Sequence, residues 1–424
     1  MAIHAVVLNR DRVAMRVAVI GAGIIGVTAA LALTERGHAV TIFDRQGVAS
    51  GASGGNAGAF AFADVIPLAT PGIIKKAPAW LFDPNGPLSI PPAYALKIAP
   101  WLLAFFKASL PARYRAAVAA QGALMDHSAA ALERLVKTCD LEGLLRREGQ
   151  LQLYEGEHEF RASLPGWQER RVVGVKFDLL EGPEAIAEIQ PGLARRFTHA
   201  GFTPDWKNVT DPAVWTEAIA EIALTRGATL IRSEITTIRP TETGMELIGP
   251  GENSTFDRVV VAAGAHSGGL TQQLGLNLPL ETERGYNVSL PEGAFDLRTH
   301  LTFAGHGFVV SRIGDGIRVG GGVELGGLEL APRMGRADAL LAKAARFLPE
   351  LRTAGGRRWM GFRPSMPDSL PVIDVAPGNP RVILAFGHGH LGLTQSAGTA
   401  EIVADLVDDA PPAIDMAPFR ATRF

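Results

Sequence analysis

The chain has 424 residues, 47% of them hydrophobic and 20% charged, which places it among globular proteins and beyond the size of one ordinary core. A formal net charge of −2 argues against a nucleic-acid partner. With Cys139 as the single cysteine, an intrachain disulfide framework and a cysteine-based zinc cluster are both excluded.

Residues 1–14 lack a periodic pattern and a long apolar core with a small-residue cleavage site. They read as an N-terminal extension rather than a secretory signal, with Met15 as the natural start of the fold and a cytoplasmic setting expected. Val17-Ala-Val-Ile20 then reads as a strand, Gly21-Ala-Gly23-Ile24-Ile25-Gly26 as a tight turn opening a helix, and Thr41-Ile-Phe-Asp44 as a second strand ending in a carboxylate beside Arg45. That order is the unit that holds a dinucleotide. Gly21 permits the turn, Gly23 leaves space for a pyrophosphate, and Gly26 lets the helix approach the strand. The helix N-terminus offers free N–H groups to phosphate, and Asp44 stands where an acid accepts from ribose hydroxyls.

A second loop of small residues follows, Ser50-Gly51-Ala52-Ser53-Gly-Gly-Asn56-Ala57-Gly58. Its backbone can approach a ring or phosphate, and its hydroxyls can donate to phosphate oxygens. Turns are expected at 83–87 and at Pro91-Pro92. The apolar run Ile98 to Phe106 is too short to span a membrane. It reads as a buried helix with Pro100 in its first turn, or as a patch touching a membrane surface or an electron-acceptor partner. Residues 112–144 have helical spacing, with Leu124, Ala131, Leu132, Leu135 and Val136 on one face; Cys139 falls in this pattern as a buried small residue. Residues 149–154 alternate as a strand.

Asp211-Pro212 marks a capped helix start, Gly227 its end, and 229–232 a following strand. Residues 256–264 form a short buried strand ending in the small residues Ala263 and Gly264. Residues 276–354 carry short alternating segments, expected to form an antiparallel sheet, with one helical pattern at 335–348. Residues 381–386 then read as a strand, 387–392 as a third glycine loop (Gly-His-Gly389-His390-Leu391-Gly392), and Thr394 to Val407 as a helix. The expected fold class is α/β, α+β overall. A discontinuous Rossmann-like dinucleotide domain takes 15–75, 195–270 and 355–424, and an antiparallel-sheet domain takes 76–194 and 271–354. Three glycine loops spread over more than 300 positions suit an extended cofactor such as FAD better than NAD alone.

Arg363, between apolar residues and prolines, suits a two-pronged grip on a carboxylate; an internal ion pair is the other reading. Arg284 and Tyr286 offer a second cation and a phenol, or a strand edge. His306 can reach a substrate or form a turn. The ten histidines show no HxxxH spacing, so a metal site is not expected. No GxSxG elbow or P-loop occurs, against a hydrolase or kinase.

The sequence resembles the FAD-dependent D-amino-acid oxidase superfamily, in particular the D-amino-acid dehydrogenase and glyphosate oxidoreductase-like branch. The resemblance runs from about residue 16 and rests on 21–26, 51–58, 80–88, Glu283-Arg284-Gly-Tyr286, Gly361-Phe-Arg363-Pro with Pro367-Asp368, and 387–394. It implies a flavin between two domains, Arg363 on the substrate carboxylate, and Gly389 to Thr394 against the flavin ring; with no cysteine near the glycine loops, the FAD is expected to be held non-covalently. Tyr286, Arg284 and His306 become candidates to shape the substrate pocket. The implied activity is oxidation of a D-amino or imino acid by hydride transfer from the α carbon to flavin N5, electrons passing to a quinone or another acceptor. An oxygen-using secondary-amine oxidase and a non-catalytic flavin-binding protein are the alternatives. Asp44 stands where many members carry glutamate. The Glu283-Arg284 pair and His390 depart from D-alanine-type dehydrogenases and leave room for secondary amines or imino acids.

Overall fold

Arg16–Ile20, Ala39–Asp44, Thr229–Arg232, Arg258–Val261 and Val382–Phe386 run parallel in one six-stranded sheet, closed at one edge by antiparallel Val372–Val375. The structure, a computed structural model, describes residues 14–73, 86, 88–251 and 253–424. From Arg16–Ile20 the chain moves to the neighbouring strand Ala39–Asp44, and the opposite neighbour is supplied only at Arg258–Val261. Such a reversal opens a crevice beyond the carboxyl ends of the central strands.

Both faces of this sheet are covered, so alternation divides each strand between two cores. Val17, Val19, Val40, Ile42 and Val260 pack with the helices Ile24–Glu35, Pro212–Thr225 and Gly392–Val407. Ala18, Ile20, Val259 and Val261 pack with a three-stranded antiparallel sheet of Thr237–Pro240, Met245–Ile248 and Ser254–Phe256. Each fully buried valine or leucine contributes about 1.5–3 kcal/mol of burial. The helix Pro212–Thr225 starts as its sequence predicts, the Asp211 carboxylate accepting from the amides of Ala213 and Val214.

The second sheet orders Arg357–Ser365, Glu281–Leu290, Gly316–Leu325, Phe308–Ile313, His300–Phe303, Gln150–Glu155, Phe197–Thr203 and Asp178–Glu181, with Leu88–Ser89 beside Gly316–Leu325. It is antiparallel apart from the pairings of His300–Phe303 with Gln150–Glu155 and of Gly316–Leu325 with Leu88–Ser89. The helix Gly335–Phe347 covers it through Ala337, Leu340, Ala344 and Phe347.

The large sheet and the first core recruit segments that the sequence division assigned elsewhere. Phe197–Thr203 and Arg357–Ser365, inside 195–270 and 355–424, pair in the large sheet. The helix Pro111–Cys139, inside 76–194, lays Leu124, Ala131, Leu132 and Val136 into the core beneath the parallel sheet. Alternation reveals a strand but not its partner, which lies far away in sequence.

The apolar run near residue 100 is a helix, Ala95–Ala108, but only half-buried: Ile98 and Trp101 face inward while Leu96, Leu103 and Phe106 are 92%, 55% and 42% exposed. Pro100 is inside the helix rather than in its first turn. Lacking an N–H, Pro100 offers no donor to the carbonyl of Leu96 one turn earlier. Cys139 is half-buried. The turn at 83–87 and the matching segment 80–88 lie outside the described residues apart from Gly86 and Leu88, as do residues 1–13. No single described helix is long and apolar enough to cross a membrane.

Candidate active site

A cavity of about 1540 Å³ runs from the carboxyl ends of the parallel strands to the face of the large sheet. Drug-sized ligands fill roughly 300–1,000 Å³, so this space suits a long cofactor together with a small substrate. Gly21, Gly23, Ile24, Ile25, Asp44 and Arg45 line one end. Gly21 sits at φ +112°, and a Cβ there would stand 2.4 Å from the Ala262 carbonyl oxygen. Gly26 does not line the cavity; a Cβ on it would strike the Gly21 carbonyl oxygen at 1.9 Å, so its role is close packing of helix on turn.

The Asp44 carboxylate binds its own loop. Oδ2 accepts from Ala22 N at 2.9 Å, and Oδ1 from Gln46 N and Gly47 N at 2.8 Å. A carboxylate held this way keeps further lone pairs for ribose hydroxyls. Arg45 Nη2 lies 2.7 Å from His266 Nε2. Burial, and Arg45 itself, lower the His266 pKa, so a neutral ring accepts from the guanidinium.

The second glycine loop closes over the first. Ser53 Oγ accepts from Ile24 N at 2.9 Å, capping a helix whose own N-cap, Gly23, has no side chain. The Ser53 hydroxyl proton remains available to a phosphate. Gly51, Ala52, Asn56 and Ala57 also line the cavity. Within the loop Asn56 Nδ2 donates to Ser53 O at 2.7 Å, and Asn56 Oδ1 accepts from Gly58 N at 2.7 Å; Gly58 itself lies behind the wall. Ala263 and Gly264 complete this end.

The third loop is tied to the strand that carries Arg363. Gly389 N donates to Pro364 O at 2.7 Å, and Ser365 bridges to His388. Gly389, His390 and Gly392 line the cavity, with His390 exposed. Leu391 and Thr394 do not line it. Leu391 packs with Ala61, Val65, Met125 and Trp206, and Thr394 Oγ1 donates to Ala59 O at 3.2 Å and accepts from Ala61 N at 3.0 Å.

Arg363 lies deep in the cavity, where burial lowers its pKa and nearby Glu283 opposes that shift. Its guanidinium crosses the middle strand at Gly285, where a Cβ would stand 2.3 Å from Nη2. Beyond it, Nη1 donates to Gly322 O at 3.0 Å. The remaining donors of the fork carry no hydrogen bond to described residues.

Three other candidates are placed differently. Arg284 is fully buried off the cavity wall, donating to the carbonyls of Gly327, Leu330 and Ala331 and pairing with Glu324 at 3.3 Å. It fastens the 326–331 turn. The Tyr286 hydroxyl donates to Glu324 Oε1 at 2.9 Å and accepts from Arg333 N at 3.0 Å, so this ring borders the cavity while its polar end faces away. His306 points outward, 2.7 Å from Glu155 and against Phe347. Strand alternation explains the first two, because cavity-lining Glu283, Gly285 and Asn287 occupy the opposite face.

Sequence reasoning assigned no site role to Arg318, His300 or Asn287 and met Glu283 only as a departure from D-alanine-type dehydrogenases; all four line the cavity. Arg318 donates to Asn56 O at 2.5 Å. His300 stands beside Trp206 with its pKa pushed down to about 3 by burial. Asn287 Nδ2 donates to Gly55 O at 2.8 Å, and its buried Oδ1 has no partner among the described residues. Gly21, Gly23, the 51–57 loop and Ala263-Gly264 leave bare backbone along their end of the cavity, a surface that fits an extended cofactor carrying phosphates.

A wall of this kind, on a parallel sheet joined to a large antiparallel one, defines a flavin-dependent oxidoreductase. The family model "FAD dependent oxidoreductase" matches residues 16–406, and the chain belongs to that family, whose cofactor is FAD. It is 36% identical over 422 residues to a D-amino-acid oxidase of Bradyrhizobium diazoefficiens, covering 96% of this chain and 98% of the relative. A D-amino acid dehydrogenase of Rhizobium rhizogenes is 30% identical, with 97% of this chain and 100% of the relative covered. Among solved structures, glycine oxidase from Geobacillus kaustophilus superposes with a TM-score of 0.76 at 25% identity, covering 97% of this chain and 99% of that one.

Proposed function

We propose that this protein oxidises a D-amino or imino acid at the α carbon and passes the electrons to a quinone. The observation that carries the reading is Arg363: a desolvated guanidinium, open on one side of its fork, beside the loop Gly389–Gly392. A carboxylate is the ligand that matches such a fork with two parallel hydrogen bonds. Full-length likeness to relatives named for D-amino acids supports the substrate class.

Bound FAD supplies the acceptor for two electrons and the α hydrogen. The chain's own part is positioning and electrostatics. Arg363 fixes the carboxylate and so aims the α carbon, and the apolar lining from Trp101, Leu102 and Phe105 excludes water. Substrate that binds with its amine protonated must release that proton to water before the α hydrogen leaves, and the neutral amine then needs no strong side-chain base. The same helix that supplies this wall exposes Leu96, Leu103 and Phe106, an apolar rim suited to a lipid-borne acceptor and to peripheral contact with a membrane.

Steady-state turnover of a D-amino acid and of its carboxamide tests the substrate reading. The acid should be used and the amide poorly used, and Arg363→Ala should remove the difference. Equal use of both by the unmodified enzyme would overturn the assignment of Arg363. Oxygen uptake matching substrate loss one to one, without a quinone analogue, would replace the dehydrogenase with the oxidase reading that the Bradyrhizobium relative favours.

A further inference from the structure

Glu283 is a buried carboxylate, 4% exposed, on the wall of the active-site cavity. No hydrogen bond or ion pair with a described residue engages it. It is the register partner of Arg363 on the neighbouring antiparallel strand, yet the guanidinium turns from it to cross Gly285 and reach Gly322 O. Arg363 acts on it only from beyond ion-pair contact, so the carboxylate oxygens keep acceptor capacity on the cavity wall that a ligand donor can fill.

We propose that Glu283 receives the α-nitrogen of the substrate, so that Glu283 and Arg363 together recognise the amino-acid zwitterion. This rests on the reading of Arg363 as the carboxylate clamp. Glu283 and Gly285 stand on one face of one strand, about 7 Å apart along it. The guanidinium lies over Gly285. An α-amino or imino acid carries its nitrogen next to its carboxylate and so suits two groups placed this close on one face. With a carboxylate seated on Arg363, Glu283 would face a second negative charge unless the ligand brought a nitrogen cation. The pair therefore selects amino acids against hydroxy acids and simple carboxylates of the same shape. Glu283 is a positioning and specificity residue.

The test uses the holoenzyme and two ligands of matched shape that lack an α hydrogen, 2-aminoisobutyrate and pivalate. Their dissociation constants are measured by calorimetry for the unmodified enzyme and for Glu283→Gln. The unmodified enzyme should prefer 2-aminoisobutyrate. The substitution should weaken that ligand on the order of tenfold, the scale of one charge-assisted hydrogen bond, and tighten pivalate. A structural role cannot produce this crossed result. Parallel loss of both affinities, no change in either, or failure of the unmodified enzyme to tell the two apart would overturn the proposal. An effect confined to D-lysine and D-arginine, in the same comparison of affinities, would reassign Glu283 to a distal cation. Flavin reduction by D-amino acids in the same preparation reports separately on the proposed function.

Discussion

Arg363 reaches its position because Gly285 has no side chain. Gly285→Ala would place a Cβ 2.3 Å from Nη2 and push the guanidinium off Gly322. The expected outcome is a KM for amino acids raised on the order of tenfold with flavin content unchanged, since the flavin loops are untouched. An unchanged KM would show that the fork does not hold substrate. At the other end of the cavity Asp44 serves three backbone amides. Asp44→Ala should weaken FAD retention about tenfold, read as flavin fluorescence released on dilution; retention equal to the parent would remove Asp44 from the cofactor site. The place of both on the cavity wall was legible in the sequence, because a carboxylate ending the second strand and an arginine between apolar residues and prolines each have a local signature. Arg284 was misread and Glu283 missed for one reason. Adjacent residues on a strand face opposite sides, and nothing local in Glu283-Arg284-Gly-Tyr286 tells which side meets the cavity.

At the scale of elements, local signals were reliable where local physics decides the structure. The Asp211 cap, the helix Pro212–Thr225 and the turn at Gly227 follow from side-chain acceptors and φ preferences within a few residues. Asp211→Ala should cost about 1 kcal/mol, seen as a lowered denaturation midpoint with activity per folded molecule preserved. A midpoint equal to the parent would mean the cap is satisfied otherwise. Sheet membership was not legible. Phe197–Thr203 and Arg357–Ser365 join the large sheet because of partners that no local pattern names. The helix Ala95–Ala108 shows the same limit, since its apolar residues divide between the cavity wall and an exposed face.

For the molecule as a whole, two buried histidines couple folding to pH. His300 and His388 have pKa values pushed down to about 3 by burial, against about 6.5 in an unfolded chain. Between those values the unfolded chain binds more protons, so stability is complete above pH 6.5 and falls as the pH drops toward 3. Each histidine contributes up to about 1.4 kcal/mol per pH unit across that window. His388, bonded to Thr399 Oγ1 at 3.0 Å, offers the cleaner test. His388→Gln should flatten the fall in melting temperature between pH 6 and 4, and an identical fall would exclude it as a source.

The central claim joins the glycine-lined cavity to Arg363 as one amine-oxidising site. Anaerobic titration of the purified flavoprotein with D- and L-amino acids, proline isomers, sarcosine and glyphosate, followed by flavin absorbance, tests it most directly. The account predicts bleaching by members with a free carboxylate beside the amine, D-amino or imino acids foremost, and a marked loss of that response in Arg363→Ala with its flavin still bound. A bound flavin that no member reduces, or one reduced equally well after Arg363 is removed, would contradict it.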